Sequence, residues 1–233
     1  GDIILSSQIN KIENSKNKIL INCNNKEYAF DLLLNCTGLF SDRNFKKYLN
    51  KKSPVKIIPF RGEYFKLKKD YNHLVNDLIY PVPNPRYPFL GVHFTRMING
   101  DREVGPNAVL AFKREGYSNK DFSINDSFDT LTYPGLFKFV NSNFNFCLNE
   151  LKSSFFSKYF IEKAKKMIPD INSNMFVKGN SGVRAQGMDS NGKLLMDFNI
   201  IKENNQIHIL NAPSPGATAS LSIADYIIKN NIN

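Results

Sequence analysis

Residues Asp31–Arg43, DLLLNCTGLFSDR, are the stretch whose reading decides the fold. Asp31–Asn35 carries a short continuous apolar run of the kind found in a parallel strand covered on both faces. The run ends at Cys36-Thr37-Gly38, and Leu39-Phe40-Ser41-Asp42 then leads into a Lys-rich helix. A strand, a few small residues and a helix N-terminus bring backbone N–H groups close to a phosphate-bearing ligand, which is how α/β proteins hold nucleotides. An α/β class with α+β elements follows.

Working outward, Asp2–Lys11, Lys18–Asn22 and Glu27–Phe30 alternate like strands, with Asn/Lys turns between them. Pro54–Leu67 reads as a strand with Arg61-Gly62 at its centre. Leu78–Tyr117 packs prolines, aromatics and arginines into segments broken by Gly and Asn turns. Within it Tyr87–Val92 and Ala108–Phe112 read as buried strands, and His93 and Arg96 sit where one strand gives way to a turn. Asp121–Ser157 reads as broken helix: Asn125 or Asp126 caps it, Pro134 sits early in a turn, and Phe137, Val140 and Phe144 share a face. Ser157–Ile168 is a basic amphipathic helix stopped by Pro169. Strands return at Met175–Ala185, Lys193–Ile201 and Gln206–Leu210, before Asn211–Thr218 runs into a helix over Ala219–Lys229. Nucleotide-domain character at both ends implies one domain, 1–53 with 181–233, interrupted by a second over 54–180.

With 233 residues the chain can bury a sizeable core. The net charge of +10, from 31 basic and 21 acidic residues, is spread through Lys-rich stretches (Lys46–Lys52, Lys66–Lys69, Lys158–Lys166) and forms no single stripe. No nucleic-acid-reading motif accompanies it, so a nucleic-acid partner is not expected. Anionic metabolites, or peripheral contact with an anionic membrane surface, suit the charge better. Three scattered cysteines (Cys23, Cys36, Cys147) follow no metal-ligand spacing and fit a reducing interior, so no metal is expected. No apolar run approaches the roughly 20 residues of a membrane span. The chain opens on Gly1-Asp2 without a leader, as though sequence upstream were absent.

Several residues invite chemistry. Arg184, in Gly182-Val-Arg-Ala-Gln186, is an arginine on an apolar strand, which calls for an anionic ligand or for an ion pair with an acid such as Asp189 or Asp197. Arg61 raises the same question, with Glu63 at hand for a local salt bridge. His93 titrates near neutrality and could act as a general base, although a lone histidine beside a strand is more often a core residue. Ser214-Pro-Gly-Ala-Thr218 can present N–H groups ahead of a helix, or simply be a Pro-initiated, Ser/Thr-capped helix start. No Gly-x-Gly-x-x-Gly occurs anywhere in the chain.

These pieces, in this order, resemble the L-2-hydroxyglutarate dehydrogenases and oxidases of the FAD-dependent D-amino-acid-oxidase-like superfamily. The likeness is carried by DLLLNCTGLFSDR, IIPFRGEYFKL, the block Leu78–Tyr117, SGVRAQGMDSNGKLLMDF and HILNAPSPGATASLSIA, and it covers nearly the whole chain. It implies a partial Rossmann-like FAD domain and an inserted substrate domain whose mixed sheet lies over the isoalloxazine. It also implies that roughly 150 residues with the dinucleotide fingerprint precede this chain.

The implied reaction is oxidation of L-2-hydroxyglutarate to 2-oxoglutarate with hydride transfer to flavin N5. On this reading Cys36, Thr37 and Gly38 lie by the adenosine half of FAD, and Ser214, Pro215, Gly216, Ala217 and Thr218 by the flavin's pyrimidine edge. Arg184 holds the C1 carboxylate. A dicarboxylate asks for a second cation, Arg96 or Arg61, and for one base, His93. Implied partners are the dicarboxylate and an electron acceptor such as a quinone or oxygen. The implied location is the cytoplasm, with peripheral attachment to the inner face of a membrane, or the mitochondrion in a eukaryote. Rival readings are an amino-acid or amine oxidase of the same superfamily, and a non-catalytic piece unable to bind FAD alone.

Overall fold

A computed structural model describes residues 1–15, 18–89 and 91–232. Two compact units emerge: Gly1–Ile57 with Asp197–Asn233, and Ile58–Met196. Strands and helices are numbered below in chain order.

In the first unit β1 (Ile9–Ser15), β2 (Lys18–Cys23) and β3 (Lys26–Phe30) form an antiparallel meander. Asn24 and Asn25 join β2 to β3 with φ of 52° and 61°, the two left-handed residues that a two-residue hairpin needs. Alternation on β2 buries Ile19, Ile21 and Cys23. The strand expected from Asp2 begins only at Ile9. Ile3, Ile4 and Leu5 run consecutively rather than alternating and stay exposed, so no one face of them can be buried.

The unit's other sheet has the order β10-β11-β4, from β10 (Asn199–Glu203), β11 (Gln206–Asn211) and β4 (Leu33–Asn35). β11 is central, antiparallel to β10 and parallel to β4, and every one of its residues is buried. Its alternation explains the burial. His208 meets Phe45 of α1 (Ser41–Leu49), and Ile207 and Ile209 pack with Ile227 of α6 (Ser220–Asn231). Successive strand residues face opposite ways, so β11 lies between two helices.

The second unit is built on β5 (Lys56–Leu67). Along one edge run β7 (Arg102–Gly105) and β8 (Val109–Leu110), with β6 (His93–Arg96) outside β7; β9 (Phe176–Met188) also pairs with β5. The β7 register sets Phe65 opposite Val104 and the β8 register sets Phe60 opposite Leu110. Five steps on β5 therefore face six on its partner, a bulge at Gly105-Pro106-Asn107. Pro106 has no N–H to give. Asn107 completes the ladder with its side chain, accepting from the Glu63 N–H at 2.8 Å. Gly62 is required opposite this bulge, because a Cβ there would meet Pro106 Cβ at 2.7 Å.

Helices α2 (Ile124–Leu131), α3 (Pro134–Ser142), α4 (Phe144–Phe155) and α5 (Ser157–Lys165) complete the unit. Leu136 and Phe139 of α3 pack on Ile58 and Phe60, while Phe160, Ile161 and Ala164 of α5 pack with Leu67, Phe94 and Val104. Ser123, not Asn125 or Asp126, caps α2 by accepting from the Asp126 N–H, and Pro134 is the first residue of α3. Phe137, Val140 and Phe144 do not share one helix, because α3 ends at Ser142 and Phe144 opens α4; Phe137 and Val140 are exposed, since α3 turns Leu136 and Phe139 inward.

Tyr87–Phe89 is not a strand, and Leu90 lies outside the described residues. Prolines at 81, 83, 85 and 88 withhold the N–H groups a ladder needs. The expected boundary at residue 181 falls inside β9, which runs unbroken to Met188. Among the described residues no helix is long and apolar enough to cross a membrane.

Candidate active site

In the first unit β4 and β11 are parallel, so both release the chain at the same, carboxyl edge of their sheet. Cys36-Thr37-Gly38 leaves β4 there and residues 212–219 leave β11 there. The crevice outside carboxyl strand ends is where open α/β sheets bind ligands. Gly38 has φ of 50°, and no atom lies within 4 Å of where its Cβ would stand, so backbone is presented bare.

A buried network fixes this turn. Asn35 donates to the Ser41 carbonyl (3.3 Å) and to His208 Nδ1 (3.0 Å), and accepts from the Thr37 hydroxyl (2.6 Å); Asn44 donates to Thr37 Oγ1 (3.0 Å). His208 thus carries its proton on Nε2, and burial pushes its pKa down. Burial raises the Cys36 thiol pKa, so this sulfur is not an activated nucleophile.

On the other segment, α6 begins at Ser220 with no side-chain cap, so the Ser/Thr-capped start is not what forms. Ser214, Pro215, Ala217 and Thr218 are exposed and Gly216 is half-buried. The N–H groups of Gly216, Ala217 and Thr218 donate to no acceptor among the described residues. Donors free of internal partners, at the carboxyl edge of a parallel strand pair, fit a phosphate-linked or electron-rich cofactor.

In the second unit Arg184 is half-buried on β9. Its Nε donates to Gln186 Oε1 at 3.1 Å and its Cζ lies 5.4 Å from the centre of the Phe89 ring. Burial lowers its pKa, yet an arginine stays charged in proteins. Among the described residues it has no carboxylate partner. Asp189 spends Oδ1 on the N–H groups of Asn191 and Lys193, and Asp197 accepts from the Phe198 N–H.

Arg61 behaves otherwise. Its Nε and Nη2 donate to Glu63 (3.2 and 3.1 Å), Nη1 to the Ser118 carbonyl (3.3 Å) and Nη2 also to Asn119 Oδ1. Glu63 accepts in turn from Asn107 (2.8 Å). Every nitrogen of this guanidinium is thus hydrogen-bonded inside the protein. Arg96 also has an internal partner. Three residues from His93 on one strand, it points to the opposite face and donates to the Asn76 carbonyl (3.1 Å).

His93 donates from Nδ1 to the Gly91 carbonyl (2.9 Å), which leaves the Nε2 lone pair as the ring's acceptor. Burial lowers its pKa, against the opposing effect of that hydrogen bond. Its ring stacks on Tyr80 at 4.6 Å. Its ladder partner Gly105 faces the Tyr64 ring, where a Cβ would meet Cδ1 at 2.7 Å. Burial foremost, then Glu103 and Tyr80, raises the Tyr64 pKa, which keeps it a neutral hydroxyl donor.

Tyr64 and Phe60 share a face of β5, and Phe89 packs on Phe60 at 5.1 Å between ring centres, so His93 and Arg184 belong to one face of this sheet. β7 and β5 separate their strands, about 14 Å at the usual spacing. Gln186, Phe89, Tyr64 and Tyr80 escaped the sequence reading as functional residues. Only Gln186 left a signal there, two places from Arg184 on the same strand. Among the described residues no group of three or more His, Cys, Asp or Glu could hold a metal ion.

One unit carries parallel βα segments open at their carboxyl edge. The other carries a sheet with an arginine that has no carboxylate partner among the described residues and a histidine with a free acceptor nitrogen. The model of the FAD-dependent oxidoreductase (DAO) family matches residues 1–229, and the chain belongs to that family. It is 47% identical to the L-2-hydroxyglutarate dehydrogenase of Indibacter alkaliphilus, over 96% of this chain and 56% of that protein. It is 44% identical to the mitochondrial L-2-hydroxyglutarate dehydrogenase of Caenorhabditis elegans, over 89% of this chain and 49% of the relative. The chain thus spans about half the length of the curated relatives it matches. Among solved structures, FAD-bound L-α-glycerophosphate oxidase from Mycoplasma pneumoniae superposes with a TM-score of 0.64 at 18% identity, covering 96% of this chain and 49% of that one, which establishes likeness of fold.

Proposed function

We propose that this chain is the substrate-recognising part of an FAD-dependent dehydrogenase that oxidises L-2-hydroxyglutarate to 2-oxoglutarate. The observation that carries the reading is Arg184: a half-buried guanidinium with no carboxylate partner among the described residues, on a chain whose relatives bear that activity in their names. Arg184 binds one carboxylate of the substrate through its Nη edge. His93 Nε2 accepts the C2 hydroxyl proton, the role its fixed tautomer and lowered pKa suit. Bound FAD supplies the acceptor for the C2 hydride. Gly38 and the N–H groups of residues 216–218 hold the cofactor; Cys36, Thr37, Ser214 and Pro215 shape the two segments that present them. The electron acceptor downstream is a quinone or oxygen. The basic surface suits peripheral attachment to an anionic membrane, and the mitochondrial relative supports an organellar site in a eukaryote.

The test is anaerobic reduction of the FAD-loaded complete gene product. Flavin bleaching by L-2-hydroxyglutarate, with stoichiometric 2-oxoglutarate, is expected. Bleaching by glycine or a D-amino acid instead would transfer the chain to the amine-oxidising branch, and failure to retain FAD would end the catalytic reading.

A further inference from the structure

Gln186 is 1% exposed and follows Arg184 by two places on β9, so both side chains leave the same face of the strand. Its amide nitrogen donates to the Leu195 carbonyl at 2.7 Å and to the Gly187 carbonyl at 3.0 Å. Two carbonyls can be satisfied only by the NH2 end, so this amide cannot turn over. Its oxygen is thereby aimed at the Arg184 Nε–H, 3.1 Å away.

The face of the guanidinium is held as well. Phe89 lies beneath it, packs edge-on against Phe60 and stacks parallel to Phe146. Phe146 stacks on Tyr87 at 4.1 Å, and the Tyr87 hydroxyl donates to Asn143 at 2.8 Å. With Nε and one face taken, the Nη1–Nη2 edge remains, a fork matched to a carboxylate.

The geometry assigns Gln186 as the positioning residue that sets the orientation of Arg184 for carboxylate binding. The assignment rests on Arg184 being the carboxylate anchor. A neutral amide suits the task, since it accepts from Nε without neutralising the cation. A glutamate in its place would pair with Arg184 and compete with the substrate.

The test uses the FAD-loaded complete gene product and four variants: Arg184→Met, Gln186→Leu, Gln186→Glu and the double Arg184→Met/Gln186→Leu. Affinity for 2-oxoglutarate is read from the flavin spectrum, and KM and kcat are measured with L-2-hydroxyglutarate. Gln186→Leu is expected to raise Kd and KM about tenfold to hundredfold, the worth of a hydrogen bond to a charged group, with a smaller fall in kcat. Gln186→Glu should weaken binding at least as much, and the double variant should bind no worse than Arg184→Met alone. If Gln186→Leu multiplies its own factor onto Arg184→Met, Gln186 acts through the fold and the assignment is overturned. Should Gln186→Leu not fold, the isosteric Gln186→Glu decides, and unchanged affinity overturns the assignment. Normal binding by Arg184→Met removes the anchor reading itself; loss there with normal binding by both Gln186 variants removes only the role of Gln186.

Discussion

Arg61 and Arg184 occupy strands that pair with each other, and sequence presents them alike, as arginines within two residues of a glycine in strands. Arg61 is enclosed by Glu63, Ser118 and Asn119, and its guanidinium bolts the bulged edge of β5 to the loop that follows β8. Arg184 is held at one nitrogen and one face and keeps an edge to offer. The histidines repeat the contrast. His208 accepts at Nδ1 and buries an Nε2–H that has no acceptor among the described residues; His93 donates at Nδ1 and leaves Nε2 as an acceptor. Residue type states what chemistry is available, and the local partner count states whether the fold has already consumed it.

The largest effect that would break this contrast is at His93. His93→Gln should slow flavin reduction by L-2-hydroxyglutarate about a hundredfold to ten-thousandfold, the usual worth of a positioned base. Stopped-flow absorbance reads it, and an unchanged rate would return His93 to the structural class. Wild-type reduction should also fall on an acid limb lying below pH 6.5, because burial lowers the pKa and only the neutral ring accepts a proton. That limb should be missing in the variant.

Next comes Arg61→Met, which leaves the Glu63 carboxylate buried without its cation. Denaturant unfolding should show a loss of about 3–5 kcal/mol, while affinity for 2-oxoglutarate is retained. Arg184→Met reverses the pattern. Binding should weaken about a hundredfold with a smaller loss of stability than in Arg61→Met, since only the neutral Gln186 Oε1 loses a partner and no carboxylate does. If the two variants behaved alike, partner count would be a poor guide to role.

The smallest effect concerns His208. Its folded-state pKa is lowered, so below pH 6.5 the unfolded chain binds a proton that the folded chain refuses. Stability contributed by this histidine is present above pH 6.5 and is lost as pH falls toward the folded value, by up to about 1.4 kcal/mol per pH unit. Denaturant midpoints measured from pH 7 to pH 5 should slope less in His208→Gln. An equal slope in both proteins would remove His208 as the titrating group.

Much of the fold was legible. Alternation placed β2 and β3, Pro54–Leu67 and Gln206–Leu210 were read as strands close to the observed β5 and β11, and the apolar run before Cys36-Thr37-Gly38 placed the parallel strand beside a helix start. Proline chemistry was the chief source of error: Tyr87–Phe89 is apolar enough for a strand but sits among residues that cannot donate to one. The face expected of Phe137, Val140 and Phe144 shows another limit. The helix breaks at Asn143, which puts Phe144 on α4, and packing on Ile58 and Phe60 turns Leu136 and Phe139 of α3 inward instead.

Sequence alone determined the family, because blocks such as DLLLNCTGLFSDR and HILNAPSPGATASLSIA stand in an order that resembles it, while Arg184, His93 and the βα turn were candidates by residue type. Tertiary structure alone decided which arginine is spent, which histidine nitrogen is free, and that a buried glutamine stands behind Arg184. Those outcomes depend on distances of about 3 Å between residues far apart in the chain, such as Arg61 and Ser118 or Tyr87 and Asn143. Hydrogen bonds and ion pairs exist only at that range, and no spacing along a sequence encodes it.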